Sequence, residues 1–267
     1  MLTFVFWNVN RKPLAELAGE LAWSAKADFV ILAEPGFGFV ELNAKLNAQV
    51  ADYKYHKIRP ARLMFFSKFD GLHRPLLESD YFSMIHCRLP GRPDFLLVVA
   101  HLSSKLYSSA ESQSFECQHM AQQIRVVEER LKHRRTILIG DLNSNPFEPG
   151  LIGATALHGV MSRQIAQRLG RRVKGEEYPF FYNPMWNHFG DESGSPGTYF
   201  YFRSEHVNYY WNMFDQALIR PELLRFLPPK GVEIVQSINS KSLLSKNGQP
   251  DTNSSSDHLP IKLTLEM

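Results

Sequence analysis

Short apolar segments recur along the chain, and most of them are bounded by Gly, Pro, Asp or Asn. Segments of this kind, rich in Val, Ile, Leu and Phe, predict buried β-strands. The predicted strands are residues 2–7, 29–33, 53–58, 63–66, 81–89, 95–100, 136–139, 199–202, 214–219, 232–235 and 261–265. Several of these strands follow one another without a helical segment between them.

Other segments carry apolar residues at the spacing of one helix face. Leu14, Leu17 and Leu21 show this spacing. The predicted helices are residues 13–27, 40–50, 111–133 and 149–169. Successive strands combined with interspersed helices indicate an α/β protein in which two layered sheets are covered by helices. No linker-like change in composition divides the chain, so residues 1–267 are expected to form one domain.

Composition narrows the class of protein only slightly. The chain has 267 residues, of which 44% are hydrophobic and 21% charged, as in ordinary globular proteins. A net charge of +3 permits a polyanionic partner without requiring one. Cys87 and Cys117 form no disulfide framework or metal-binding spacing, which favours buried thiols in a reducing compartment. The apolar runs are too short to span a membrane and no signal peptide is indicated, so we expect a soluble cytoplasmic protein.

Polar side chains stand at the ends of four predicted strands. Asn8 follows the first strand, Glu34 follows residues 29–33, Asp141 follows residues 136–139, and Asp257 shortly precedes the last strand. Carboxylate and amide oxygens at the edge of a sheet suit Mg²⁺ or Mn²⁺ and the phosphate that such an ion holds. Four such strand ends therefore suggest a shared site.

Each of these residues also has an ordinary structural interpretation. Glu34 stands before Pro-Gly and could be a turn carboxylate, while Asp141 could form an Asx turn after its strand. His258 could be a hydrogen-bonded core histidine. Asp215 lies in an apolar strand, where an unpaired carboxylate would be costly, and His258 is the obvious partner for it.

Six motifs, taken together and in order, resemble those of the endonuclease/exonuclease/phosphatase family. They are FWNVN at residues 6–10, ILAEP at 31–35, VVAHLSS at 98–104, ILIGDLNSNP at 137–146, the aspartate of FDQALI at 214–219, and SDHLPI at 256–261. The resemblance spans both ends and the middle of the chain. It implies a four-layer α/β sandwich and metal-dependent cleavage of a phosphoester.

The resemblance also implies a metal site. Glu34 would be the principal Mg²⁺ ligand (or Mn²⁺ ligand), and Asn8 and Asp257 would lie close to the ion. Asn10 departs from the aspartate that some members carry at this position, so the number of ions stays open.

The same motifs imply a catalytic set. Asp141 would position or deprotonate the attacking water, and Asn143 would orient that water or hold a phosphate oxygen. His258, paired with Asp215, would contact the phosphate or act as acid and base. His101 would donate a hydrogen bond to a non-bridging phosphate oxygen.

Substrate contacts are expected from Asn10, Arg62, Asn145 and Arg203. Residues 178–211 are rich in Tyr, Phe and Trp with interleaved basic residues, a pattern that can stack unpaired bases. The alternative is that half or more of these aromatic residues fill the core.

Three functional hypotheses follow. The first is a Mg²⁺- or Mn²⁺-dependent nuclease with a nucleic acid as its partner. The second is the same chemistry on a phospholipid head group or an inositol phosphate, and the third is a binding protein without turnover. The presence of every matched ligand speaks against the third. His101 followed by Leu-Ser resembles the deoxyribonuclease I, sphingomyelinase and 5-phosphatase branches, so abasic-site repair is not favoured. Nothing in the sequence indicates a protein partner.

Overall fold

The computed structural model describes residues 1–49, 52–71, 73–105, 109–192, 194–204 and 206–267. Within them the α-helices are α1 (Ala15–Ser24), α2 (Phe39–Leu46), α3 (Ala110–Leu131), α4 (Pro149–Ile152) and α5 (Arg163–Ala166). Two 3₁₀ helices span Pro184–His188 and Pro221–Phe226.

The strands of the first half are β1 (Leu2–Asn8), β2 (Phe29–Ala33), β3 (Lys54–His56), β4 (Leu63–Ser67), β5 (His73–Glu78), β6 (Phe82–Cys87), β7 (Phe95–His101) and β8 (Thr136–Asp141). Those of the second half are β9 (Gly159–Val160), β10 (Gly170–Val173), β11 (Glu176–Pro179), β12 (Phe181–Tyr182), β13 (Tyr199–Phe200), β14 (Trp211–Asn212), β15 (Asp215–Ile219), β16 (Val232–Ile234), β17 (Ser237–Ile238), β18 (Lys241–Ser242) and β19 (Ile261–Leu265).

Two large sheets organise these strands. The first has six strands in the order β16-β19-β1-β2-β4-β3, and the second has seven in the order β5-β6-β7-β8-β15-β12-β9. Both are mixed sheets: each holds a central parallel pair, β1 with β2 and β7 with β8, and the second sheet has a further parallel pair at its edge, β12 with β9.

The alternation of side chains along β7 shows how the layers form. Phe95, Leu97 and Val99 belong to the core between the two sheets, which continues through the first sheet to α1 and α2. Leu96 and Val98 point the other way and pack with the apolar side of α3. Because both faces of β7 are covered, its sequence is continuously apolar rather than alternating. The predicted four-layer α/β sandwich is confirmed.

The predicted helix over residues 149–169 is wrong. α4 ends at Ile152, because the next residue, Gly153, has an extended backbone with ψ 138°, and His158 adopts a left-handed φ of 53°. Residues 159–160 then pair in parallel with β12, and a second four-residue helix follows. The helical spacing of the apolar residues is therefore not sufficient to form one long helix, because a glycine ends α4 and β12 pairs with residues 159–160.

Smaller differences lie at element ends. The predicted helix over residues 40–50 ends at Leu46 in α2, and residue 50 lies outside the described residues. Strand β5 was not predicted, because its sequence mixes Arg, Pro and Leu with no clear alternation. No helix in the described ranges combines the length and the apolarity needed to cross a membrane.

One buried ion pair links the outer helix layer to the second sheet. The Arg220 guanidinium donates to both carboxylate oxygens of Glu128 on α3, at 2.8 and 3.1 Å, and both side chains are 2% exposed. Arg220 also donates to the carbonyls of Pro179 and Phe180 and stacks 3.9 Å from the ring of Phe181. Every charge in this network has partners, which is the condition for a buried pair to persist.

We predict that Arg220→Met strongly destabilises the protein, because it leaves the Glu128 carboxylate buried without its cation. The free energy of unfolding should fall by about 3–5 kcal/mol. Urea denaturation measures the change. Glu233→Gln is the matched control, since it breaks the exposed pair with Lys262 and should cost less than about 1 kcal/mol. Equal effects of the two substitutions would contradict this account.

Candidate active site

A cleft of about 760 Å³ opens at the edge where the central parallel strands of both sheets end. The residues that line it are Asn8, Asn10, Arg11, Glu34, Arg62, His101, Ser104, Lys105, Asp141, Asn143, Tyr199, Tyr201, Arg203, Val207, Asn208, Tyr209, Asn212, Phe214, Asp257 and His258. All of the sequence-predicted site residues are among them except Asp215 and Asn145. The topology thus brings together residues more than 200 positions apart in the chain.

Sheet register explains the convergence in the second sheet. His101 at the end of β7 stands opposite Asp141 at the end of the parallel strand β8. Asp141 in turn pairs with Asp215, which begins the antiparallel strand β15. Three titratable residues therefore occupy neighbouring positions at one edge of the sheet.

Asp141 is held by hydrogen bonds from both sides. Its Oδ2 accepts from the Asn8 Nδ2 at 2.9 Å, across the gap between the sheets, and its Oδ1 accepts from the backbone N–H of Asn143 at 2.9 Å. The second bond is the Asx turn that the sequence allowed, and Asn143 completes it with a left-handed φ of 49°. The turn and the site coexist, because the turn fixes the carboxylate at the floor of the cleft with 1% exposure.

Glu34 lies opposite, in a tight turn after β2 with a φ of 46°. Its carboxylate lies 3.3 Å from the His101 Nε2 and 3.3 Å from the Arg11 Nε. The hydrogen bond from His101 lowers the pKa of Glu34, and the charges of His101 and Arg11 add to this against the opposing effect of burial. The following Gly36 is required by packing, because a Cβ there would stand 2.0 Å from the Arg11 carbonyl oxygen.

His258 and Asp215 form the predicted pair. The His258 Nδ1 lies 2.8 Å from the Asp215 Oδ2, and Asp215 is fully buried. Burial by itself lowers the pKa of His258, but the carboxylates of Asp215, Asp141 and Asp257 outweigh it and raise that pKa to about 10. Burial also raises the pKa of Asp215, so the pair holds one proton tightly. Because Nδ1 is occupied, contact between this imidazole and a ligand has to come from Nε2.

Ser256 fixes the last motif against the first strand. Its hydroxyl donates to the Asn8 carbonyl at 2.7 Å and accepts from the backbone N–H of His258 at 3.2 Å. The Trp7 indole donates to the His258 carbonyl at 2.9 Å. These contacts set Asp257 and His258 at the cleft wall opposite β8.

Asn145 was expected to contact the substrate directly. The structure corrects this expectation, because Asn145 does not line the cleft. The side chain is fully buried, its Nδ2 donates to the Asn212 Oδ1 at 2.9 Å, and its Oδ1 accepts from the Met213 N–H at 2.8 Å. Both ends of the amide are therefore engaged inside the protein. Asn145 ties the loop after β8 to the segment before β15.

Several cleft residues were not predicted. Arg11 and Lys105 follow directly after the Trp-Asn and His-Leu-Ser motifs, and that adjacency was the available signal. Lys105 pairs with Glu148 and stands 5.3 Å from the Phe214 ring. Tyr199 has its ring 4.6 Å from that of His258, a contact that only the fold could reveal.

The donor set suits a hard divalent cation. Glu34 and Asp257 supply carboxylate oxygens that line the cleft, and Asn8 supplies a buried amide oxygen that also accepts from the Asn10 N–H; Mg²⁺ and Mn²⁺ prefer oxygens of this kind. Among the described residues, a tighter cluster of ligand atoms is formed by Asp141, Asp215 and His258, within 4.8 Å of one another. Asp215 already holds His258 and is closed to solvent, whereas Glu34 and Asp257 line the cleft.

Comparison with solved structures identifies the fold. The endonuclease domain of TRAS1, a telomere-specific non-LTR retrotransposon, has a TM-score of 0.56 and 17% identity over 100% of this chain and 99% of its own. The Neisseria 3′ phosphatase NExo, solved with a product DNA hairpin, has a TM-score of 0.59 and 14% identity over the whole of both chains. An endonuclease/exonuclease/phosphatase family protein of Bacteroides thetaiotaomicron has a TM-score of 0.55 and 12% identity over 99% and 97%.

These likenesses confirm the resemblance read from the motifs at the level of fold: the chain has the endonuclease/exonuclease/phosphatase fold over its full length. No protein-family model matches the sequence, and no curated protein matches it.

We predict that Gly140→Ala destabilises the protein at the end of β8, next to Asp141. A Cβ at Gly140 would stand 2.0 Å from the carbonyl oxygen of Ala100 on β7, so the end of β8 must shift. The expected loss is about 1–3 kcal/mol of unfolding free energy, measured by urea denaturation. Gly38→Ala is the control, because nothing lies within 4 Å of its Cβ position, and it should change stability by less than about 1 kcal/mol. A Gly140→Ala protein as stable as this control would refute the prediction.

Proposed function

We propose that the protein is a divalent-metal-dependent phosphodiesterase, and most specifically a nuclease that hydrolyses phosphodiester bonds of a nucleic acid with an activated water. The observation that carries the proposal is the convergence of Glu34, Asp141, Asp257 and the His258–Asp215 pair on one cleft. Endonuclease and phosphatase proteins that share the fold support it. Residues 1–267 would act as one catalytic domain.

In this proposal Glu34, Asp257 and Asn8 hold a Mg²⁺ or Mn²⁺ ion. When bound, such an ion offsets the negative charge of the phosphodiester and makes water a better nucleophile. Glu34 suits the role because its lowered pKa keeps it ionised at neutral pH. His101, 3.3 Å away, limits the repulsion among the carboxylates.

Asp141 would position the attacking water and accept its proton. The two hydrogen bonds that Asp141 accepts hold its carboxylate in one orientation, and Asn143 lines the cleft beside it. A fixed acceptor lowers the cost of orienting the nucleophile.

His258 and His101 would contact the phosphate. The raised pKa of His258 keeps its imidazole protonated, so that Nε2 donates a hydrogen bond to an oxygen on which negative charge develops. Asp215 orients the ring through Nδ1. We expect the His101 Nε2–H, which lies 3.3 Å from the Glu34 carboxylate, to donate instead to a non-bridging oxygen when a phosphodiester is bound.

The cleft rim fits a polyanion. Arg11, Arg62, Lys105 and Arg203 all line the cleft around the carboxylates. Cationic side chains around a catalytic centre hold the phosphates on either side of the scissile bond. The backbone N–H of Asn10 donates to the Asn8 Oδ1 at 3.0 Å. In this proposal Asn10 contacts the substrate beside the metal.

A reducing compartment, with the cytoplasm as our proposal, fits the two thiols. Cys87 and Cys117 are both unpaired and buried. Burial raises the pKa of both thiols, to about 12 for Cys117, which makes them unreactive.

We predict that Mg²⁺ binds at this cleft and that Glu34→Gln removes most of the affinity, because an amide lacks the charge that holds the ion. Isothermal titration calorimetry should show Mg²⁺ binding by the wild type and an affinity at least about tenfold lower for the variant. Glu177→Gln, at an exposed position on β11, should bind like the wild type. Equal affinity of the Glu34 variant and the wild type would remove the proposed ligand.

We further predict that Asp141→Asn lowers hydrolysis of both bis-p-nitrophenyl phosphate and DNA by about 10²–10⁴-fold, since the proton acceptor is lost while the shape is kept. Initial rates with Mg²⁺ measure the effect, EDTA serves as blank, and circular dichroism checks the fold. Asp52→Asn, at an exposed position, should be as active as the wild type. An undiminished rate for the Asp141 variant would exclude the role.

The same assay separates the two candidate substrate classes. Cleavage of the small diester and of a phospholipid head group or an inositol phosphate, but of no nucleic acid, would favour the second class of substrate.

A further inference from the structure

A β-hairpin with exposed aromatic residues stands at the mouth of the cleft. This aromatic hairpin comprises the described residues of 199–211, with β13 and β14 paired through Tyr199 with Asn212 and Phe200 with Trp211. Beyond them the Tyr201 N–H donates to the Tyr210 carbonyl at 2.7 Å. The Asn208 side chain closes the turn by donating to the Arg203 carbonyl and accepting from the Tyr210 N–H.

The two faces of the aromatic hairpin differ. Tyr199, Tyr201, Arg203 and Tyr209 line the cleft. Phe200, Phe202 and Tyr210 pack on one another on the far side, with Phe202 and Tyr210 stacked at 5.8 Å. The far-side residues therefore stiffen the hairpin, and the cleft-side rings are the ones offered to a ligand.

Rigid links connect the aromatic hairpin to both catalytic loops. Tyr199 forms a β-bridge with His258, and the carbonyl of Thr198 accepts from the Leu259 N–H at 2.8 Å. On the other strand, Asn212 receives the hydrogen bond from Asn145 described above. Aromatic rings on this hairpin consequently keep a fixed distance from the phosphate-binding groups.

The cleft-side rings form a row that leads outward from the catalytic histidine. The Tyr199 ring lies 4.6 Å from that of His258 and is stacked at 6.2 Å and 21° with Tyr201. The Arg203 guanidinium lies 5.4 Å from the Tyr201 ring. Across the turn, Tyr209 is 55% exposed and held at one edge by Phe147, at 5.3 Å. More than half of the Tyr209 side chain is thus exposed at the cleft, and the arginine of the row lies beside Tyr201.

We propose that this face of the aromatic hairpin is a binding site for unpaired nucleobases next to the scissile phosphate, so that single-stranded nucleic acid is bound in preference to duplex. The inference rests on the proposed nuclease function. Tyrosine faces bind bases by stacking, which requires a base whose own face is free, and the nearby arginine fits the adjoining phosphate. Bases inside a duplex are already stacked on their neighbours.

The positive charge at the rim of the cleft favours a nucleic acid strand over an apolar ligand. Arg203 stands on the cleft face of the aromatic hairpin, and Lys105 and Arg62 line the same cleft. A row that begins at the phosphate-binding histidine, continues through two tyrosine rings and ends at an arginine suits a nucleotide strand, whose bases stack on rings and whose phosphates pair with cations. A membrane surface is the competing occupant, because Phe202 and Val207 are also exposed.

The test measures binding separately from catalysis. All proteins carry Asp141→Asn so that the DNA survives, and fluorescence anisotropy follows a labelled oligo-dT strand and a duplex of equal length in Mg²⁺. We expect tighter binding of the single strand, and a loss of roughly tenfold or more for Tyr209→Ala, the effect of one stacked base. Phe115→Ala is the matched control, since Phe115 is 70% exposed on α3 and lies outside the cleft.

A second readout reports stacking itself. A 2-aminopurine placed within the oligo-dT strand should lose fluorescence on binding the parent protein and lose much less on binding Tyr209→Ala. Urea denaturation confirms that the variants are folded. Unchanged affinity and unchanged quenching in Tyr209→Ala would overturn the proposal, and so would tighter binding of the duplex.

Two further experiments show whether a negative result concerns the base-binding site or the proposed catalytic function. Binding to phosphatidylserine–phosphatidylcholine vesicles that depends on Phe202 and Val207, with no preference for single-stranded DNA, would overturn the proposal in favour of a membrane surface. Hydrolysis of bis-p-nitrophenyl phosphate by the wild type tests the catalytic function by itself. Strand binding and quenching without hydrolysis would support the base site while removing the proposed activity.

Discussion

The site depends on one geometric constraint: the central parallel pairs of both sheets end at the same edge of the sandwich. β1 and β2 deliver Asn8 and Glu34 there, and β7 and β8 deliver His101 and Asp141. Several carboxylates held close together repel one another, and in a cleft shielded from water that repulsion is strong. The fold offsets it with His101 beside Glu34 and with the Asn8 amide on Asp141. A divalent cation would relieve the same repulsion. The closeness of the carboxylates therefore destabilises the site by itself and would favour binding of a cation.

The loops that complete the cleft are fixed by polar groups rather than by apolar packing. Ser256 joins the last motif to the first strand, and Asn145 joins the loop after β8 to the segment before β15. Each of these side chains is buried with its hydrogen bonds satisfied inside the protein. A buried polar group of this kind allows few alternative arrangements, because any displacement leaves a donor or acceptor unpaired. Direct contact with a substrate is thus not needed to explain why Ser and Asn occupy these positions.

The aromatic hairpin and the carboxylates of the cleft are separate in space but connected by hydrogen bonds. The carboxylates of Glu34, Asp141 and Asp257 lie in the cleft together with His258, whose partner Asp215 is fully buried. The aromatic hairpin stands at the rim and is bonded to the segments that carry His258 and Asn145, through Tyr199 on one strand and Asn212 on the other. A rigid scaffold that carries an exposed, sequence-variable loop is a general way to present a ligand to a fixed reactive centre. Changes on the rim can therefore alter what binds while the floor stays intact.

The sequence by itself determined the alternation of layers, the GDLN and SDH motifs and the pairing of Asp215 with His258, because each follows from local pattern or from the cost of a buried charge. It also predicted ten of the twenty residues that line the cleft. Only the tertiary structure decided the rest. Residues 159–160 became a strand because β12 offers a partner, which local spacing cannot reveal. The Asn145 side chain points inward because it forms hydrogen bonds there with the Asn212 side chain and the Met213 N–H. The division of aromatic residues between core and rim depended in the same way on neighbours far along the chain, since a ring is buried only where another element arrives to cover it.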